Sequence, residues 1–129
     1  MEDMLKVAMA QLAPVWLNKQ ATLQKILDAV SEAADNGAEL IVFGEAFLPG
    51  YPFWLAHTDG AAWNLDVNKA LHAHYTKNSI QIEAGELDAL CRLAKEKSIA
   101  TYLGMMERAK DRGGHSLYCS LVYIAASGI

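Results

Sequence analysis

Glu45 is the side chain in this sequence whose position best suits chemistry, since it directly follows a short apolar run. Residues 39–43 are predicted to form a strand, and open α/β sheets bind ligands beyond the carboxyl ends of such strands. The residues on both sides of Glu45 are nearly all apolar, and loss of hydration makes a carboxylate a stronger base. Glu45 is therefore a candidate general base, the alternative being a solvated glutamate that caps backbone N–H groups.

The chain has two cysteines, Cys91 and Cys119, which are its candidate nucleophiles. Cys91 falls on the apolar stripe of a predicted helix, and Cys119 falls within a predicted strand. Neither stands at a strand-to-helix turn or beside a visible base, where activated thiols are found. Both are therefore predicted to be buried, inert and unpaired thiols.

A metal site is the alternative chemistry, because His57, Asp59, Asp66, His72 and His74 fall within one short window. That window is predicted to be partly helical, and side chains two positions apart on a helix point to different faces. His72 and His74 then do not converge, and the sequence favours surface histidines without a metal.

The elements that must position Glu45 follow from the spacing of apolar residues and from turn-forming residues. The order β-α-β-loop-α-β-β predicts an α/β chain with a mixed sheet, in which the last two strands form an antiparallel hairpin. The predicted elements are a strand at 5–12, a helix at 19–35 capped by Asn18, a strand at 39–43, a loop at 44–58, a weakly helical stretch at 60–78, a helix at 86–97, and strands at 99–107 and 115–125.

The composition is that of one globular domain, with 129 residues, 53% hydrophobic and 20% charged. A net charge of −4 and scattered basic residues argue against nucleic acid or a membrane surface as partner. The acidic start does not resemble a signal peptide, and no apolar run reaches the roughly 20 residues of a spanning helix, so a cytoplasmic location is predicted. The chain stops directly after a strand, and the expected uncovered sheet face indicates an incomplete domain.

Residues 43–54, Phe-Gly-Glu-Ala-Phe-Leu-Pro-Gly-Tyr-Pro-Phe-Trp, resemble the glutamate motif of the nitrilase branch of the carbon–nitrogen hydrolases. Residues 6–11 are similar to the first strand of that family, and residues 104–108 with 117–118 are similar to its Gly-x-x-Glu-Arg hairpin. Gly44 stands where the family usually has proline, and Cys119 where an asparagine commonly follows Leu-Tyr. The resemblance implies that residues 1–129 are the N-terminal portion of an α-β-β-α sandwich.

The resemblance also implies a reaction. In the family a glutamate, here Glu45, deprotonates a cysteine whose thiolate attacks a nitrile or amide carbon, while a lysine stabilises the developing charge. Tyr51 and Trp54 are then expected to line the substrate pocket. A small-molecule nitrile or amide substrate, a homo-oligomer, and no metal or organic cofactor are implied as well. The family's lysine and cysteine motifs come later in sequence, and nothing in residues 1–129 matches them, so the chain alone is expected to be inactive.

Two other interpretations stay open. The first is a non-enzymatic α/β binding module, for instance for a nucleotide, although residues 13–17 lack the glycines that let a backbone approach phosphates. The second is an interaction protein that assembles through the uncovered face of its sheet.

Overall fold

A four-stranded sheet forms the centre of the computed structural model, which describes residues 3–129 apart from the side chain of Arg112. The strands lie in the order β1-β2-β3-β4. β2 pairs in parallel with both β1 and β3, whereas β3 and β4 form an antiparallel hairpin. The predicted mixed α/β sheet is therefore confirmed. The strands are Val7–Ala10 (β1), Leu40–Phe43 (β2), Ala100–Glu107 (β3) and Tyr118–Ile124 (β4).

Four α-helices connect these strands. A short 3₁₀ turn at Ile82–Ala84 precedes α4, and another at Lys110–Arg112 joins β3 to β4. The helices are Lys19–Asp35 (α1), Trp54–His57 (α2), Asp66–Asn78 (α3) and Asp88–Lys97 (α4).

Helix α1 has the bounds that the sequence predicts. The side chain of Asn18 accepts a hydrogen bond from the Ala21 N–H at 3.0 Å, which satisfies one of the free donors of the first turn. The residues that α1 buries recur every three or four positions, so a single stripe faces the sheet. They are Thr22, Ile26, Val30 and Ala33.

Helix α3 is better formed than the sequence predicts, and the one-turn helix α2 lies inside the predicted loop. Tyr75 is the one residue of α3 that is fully buried, which explains why the helix shows no clear apolar stripe. The Tyr75 hydroxyl donates a hydrogen bond to the Gly50 carbonyl at 2.8 Å, so α3 is fixed against the loop that follows β2.

The main core lies on one face of the sheet, where side chains such as Ile41, Phe43 and Leu103 pack with those of α1 and α4. The opposite face of the sheet is largely exposed. We use the term open face for the large apolar side chains that it carries. They are Val7, Met9, Tyr102, Leu121 and Tyr123. In the part of the chain that the structure describes, no helix has the length and apolar character needed to cross a membrane.

Candidate active site

Glu45 lies immediately beyond β2, at the carboxyl end of a parallel strand, as predicted. A tight turn carries it, closed by the Phe47 N–H, which donates to the Gly44 carbonyl at 3.4 Å. Ala46 adopts a left-handed conformation with φ of 48°, which is unfavourable for a residue with a Cβ. This turn sends the Glu45 side chain away from the core that Ala46, Phe47 and Leu48 enter.

Gly104 of β3 allows the Glu45 turn to lie against the sheet. A Cβ at position 104 would come within 2.8 Å of the Glu45 Cα and still closer to the Gly44 carbonyl oxygen. The chain then continues along β3, where the Leu48 N–H donates to the Gly104 carbonyl at 3.3 Å and the Leu48 carbonyl accepts from Met106 at 2.9 Å. The backbone that carries Glu45 is therefore fixed by the central strand.

The expectation of a dehydrated Glu45 is wrong for residues 3–129, because the side chain is exposed. Its apolar neighbours turn into the core while Glu45 itself faces the rim of an open cleft of about 620 Å³. Met9, Phe43 and Tyr51 line the same cleft. Successive side chains of the tight turn point in different directions, so Glu45 is exposed although the apolar residues that follow it in sequence are buried.

Cys119 lies beside Glu45, and two expectations about it are corrected. The thiol is exposed rather than buried, and its sulfur lies 3.4 Å from Oε1 of Glu45, the candidate base. Burial, the hydrogen bond to Glu45 and the negative charge of Glu45 raise the pKa of Cys119. Sequence inspection missed this contact because the two residues are 74 positions apart, although alternation along β4 could have placed Cys119 on the face that carries Glu45.

The two predicted pocket residues diverge. Tyr51 is 60% exposed and lines the cleft with Glu45, and its carbonyl accepts a hydrogen bond from the Trp16 indole at 3.1 Å. Trp54 is only 5% exposed and packs edge-on against Tyr75, with ring centroids 6.3 Å apart. Trp54 lines a different cavity, of about 290 Å³. Both pocket roles stay predictions, but only Tyr51 is brought to the cleft of Glu45.

Two further aromatic residues of this region, Phe53 and Trp63, do not line the cleft of Glu45. Phe53 stacks on Trp16 with ring centroids 4.4 Å apart, and Trp63 is 95% exposed. The aromatic residues at positions 51–63 therefore lie in different surroundings.

Among the side chains that the structure describes, which do not include that of Arg112, none is a cation paired to Glu45. Ion pairs join Lys19 to Glu86, Lys69 to Asp66 and Lys97 to Asp35.

His72 and His74 both lie on α3, where His74 contacts the Leu17 carbonyl at 3.2 Å and His72 contacts Thr76. Across the described residues, no group of three or more His, Cys, Asp and Glu side chains is arranged to hold a metal ion.

Comparison with known proteins defines the class to which this strand-end glutamate and mixed sheet belong. A model of the family described as "Carbon-nitrogen hydrolase" matches residues 6–129. An arylacetonitrilase of Hypocrea virens is 38% identical over 127 residues, covering 98% of this chain and 35% of that protein. An arylacetonitrilase of Aspergillus oryzae is 35% identical over 124 residues, covering 96% and 34%. The chain belongs to the carbon–nitrogen hydrolase family, in its nitrilase branch.

Solved structures show the same fold at low sequence identity. An amidase from Nesterenkonia sp. covers 96% of this chain and 39% of its own length, with a TM-score of 0.57 and 18% identity. The NitFhit protein of C. elegans covers 98% and 27%, with a TM-score of 0.63 and 12% identity. A variant of the Nesterenkonia amidase carries a covalent addition at its active-site cysteine. The chain spans about a third of the length of the curated relatives that it matches.

Proposed function

We propose that this chain contributes Glu45 as the general base of a nitrilase-type hydrolase, which converts a nitrile and two waters into a carboxylic acid and ammonia. The observation that carries the proposal is the placement of Glu45. It stands at the carboxyl end of a parallel strand, on the rim of a cleft, and no cation among the described side chains is paired to it. Such a carboxylate is accessible to a proton donor.

In the proposed reaction Glu45 accepts the proton of a cysteine thiol as the sulfur attacks the nitrile carbon. A lysine stabilises the negative charge that develops on nitrogen, and water then hydrolyses the covalent intermediate, first to release ammonia and then the acid. The names of the arylacetonitrilases support a nitrile substrate, and the active-site cysteine of the Nesterenkonia amidase supports a thiol nucleophile. Tyr51 lines the cleft and is the residue of this chain best placed to form a wall of the substrate pocket.

The nucleophile and the lysine of this reaction have no counterpart in residues 1–129, so we propose that the chain forms part of one hydrolase domain and is inactive alone. Cys119 lies within β4 and not at a strand-to-helix turn, so we do not assign it as the nucleophile. A homo-oligomer and a cytoplasmic location belong to the same proposal, the latter supported by two cysteines that form no disulfide.

A chimera tests the role of Glu45. Residues 1–129 would replace the matching portion of the Hypocrea virens arylacetonitrilase, and ammonia release from an arylacetonitrile would be measured. Glu45→Gln should lower the rate by roughly 10²–10⁴-fold, the usual contribution of a general base, because glutamine cannot accept the proton. Glu96→Gln, which changes an exposed glutamate of α4, should leave the rate unchanged.

Retention of activity by the folded Glu45→Gln chimera would refute the assignment of Glu45 as the base. The 129-residue chain itself should release no ammonia from the same nitriles. Release that Glu45→Gln abolishes would instead show that the chain is catalytically complete.

A further inference from the structure

Cys119 shares the face of the sheet on which the Glu45 turn lies. Within the hairpin, Cys119 pairs with Met106 and Leu121 pairs with Gly104, the residue that admits the Glu45 turn. Residues two apart on a strand project on the same side, so Cys119 points to the side of the sheet that Gly104 leaves clear for the backbone of Glu45.

The thiol of Cys119 contacts the turn at Glu45. Its S–H is directed at Oε1 of Glu45 across 3.4 Å. A thiol is a weak donor, and a carboxylate oxygen is an acceptor. The next residue of the turn, Ala46, has φ of 48°, a conformation that costs a residue with a Cβ free energy.

The protonated form of Cys119 is the form that can position Glu45. Partial burial raises the pKa of the thiol, and the hydrogen bond to Glu45 and the charge of Glu45 raise it further. The protonated thiol has a hydrogen to donate to the carboxylate. Among the residues that the structure describes, no other side chain hydrogen-bonds to the Glu45 carboxylate.

We propose that Cys119 is a positioning residue, whose thiol hydrogen-bonds to Glu45 and holds its carboxylate in one orientation at the rim of the cleft. The inference rests on the proposed function of Glu45 as the base. An exposed glutamate side chain otherwise samples several rotamers, and a base must lie within hydrogen-bond reach of the proton that it accepts. Cys119 therefore restricts the orientation of the Glu45 carboxylate, which the open cleft alone does not restrict.

The first test measures the rotamer of Glu45 in the 129-residue chain by three-bond NMR couplings, which respond to side-chain torsion angles. The native chain should show one dominant rotamer. Cys119→Val keeps a side chain of similar size but has no donor, so its couplings should be averaged. Cys119→Asn restores a donor and should restore the dominant rotamer. Identical couplings in the native chain and in Cys119→Val would overturn the proposal.

The second test measures the rate at which neutral iodoacetamide alkylates Cys119, with Cys91 of the same sample as internal reference. Glu45→Gln removes the charge that raises the pKa of Cys119, so alkylation at pH 8 should be faster than in the native chain as the thiolate fraction grows. Glu107→Gln is the matched control. Glu107 pairs in register with Tyr118, next to Cys119, but its carboxylate accepts a hydrogen bond from Ser120 at 2.7 Å.

Equal alkylation rates in Glu45→Gln and Glu107→Gln would overturn the proposal. Both tests use the 129-residue chain, and neither depends on its hydrolase activity. Failure of the contact between Cys119 and Glu45 is thereby distinguished from failure of Glu45 as a base, which the arylacetonitrilase chimera reports.

Discussion

At the scale of the residue, the position of Glu45 depends on the absence of a side chain at Gly104. The glycine lies in β3, fully within the sheet, where a glycine otherwise weakens a strand because it packs no side chain. Here the missing Cβ leaves room for the Gly44 carbonyl and the Glu45 backbone. A Cβ added at Gly44 would meet no atom within 4 Å, so the absence of a side chain there serves no packing purpose.

Gly104→Ala should lower the free energy of unfolding by about 3 kcal/mol, since the new methyl group overlaps backbone atoms that cannot rotate away. Urea unfolding followed by tryptophan fluorescence at low protein concentration measures the loss. Gly44→Ala is the matched control and should unfold near the native midpoint, because nothing lies within 4 Å of its added Cβ. Equal midpoints for the two variants would show that Gly104 does not determine the position of the turn.

At the scale of the element, the sequence predicts the bounds of a helix more accurately when the helix buries more of its residues. Helix α1 buries a full stripe and starts at an asparagine cap, and its bounds were predicted to the residue. Helix α3 buries only Tyr75 completely, so its hydrophobic spacing carried little information. Its position is determined by the contact between Tyr75 and the loop after β2, which no local pattern specifies.

Asn18→Ala should lower the free energy of unfolding by about 1 kcal/mol, because the Ala21 N–H loses the acceptor that caps α1. Thermal unfolding followed by circular dichroism measures the change. Gln20→Ala, in the same first turn, should have little effect or slightly stabilise the helix, since Gln20 is exposed and alanine favours helix. A larger loss in Gln20→Ala than in Asn18→Ala would contradict the capping role.

At the scale of the whole molecule, the open face leaves apolar side chains in water. Met9 is 84% exposed and Leu121 is 67% exposed, and Tyr102 lies between them on the same face of the sheet. Contiguous apolar surface of this kind marks an interaction site.

The isolated chain should therefore self-associate, and Leu121→Arg should weaken the association by placing a charge on the open face. Sedimentation velocity over a range of concentrations measures the distribution of species. Val67→Arg is the control, because Val67 is 50% exposed but lies on α3, away from the open face. A concentration-independent monomer with a sharp cooperative melt in the native chain would contradict the prediction.

The sequence by itself determined the features that depend on short stretches of chain. The strand that ends before Glu45, helix α1 with its cap, the hairpin of β3 and β4, and the motif typical of the family all lie within runs of at most about 25 residues. Hydrophobic periodicity and capping act over such distances, so they can be recognised without the fold. The resemblance to the nitrilase branch rested on the same kind of local evidence, and comparison with known proteins confirmed it.

Only the tertiary structure decided how the candidate site is arranged. The contact between Glu45 and Cys119, the space over Gly104 and the separation of Trp54 from the cleft all depend on strand order and register. A shift of one residue in the pairing of β3 with β4 would turn Cys119 to the opposite face of the sheet. Register is set by packing across the whole sheet, so the contact between Glu45 and Cys119, 74 positions apart, cannot be predicted from local sequence alone.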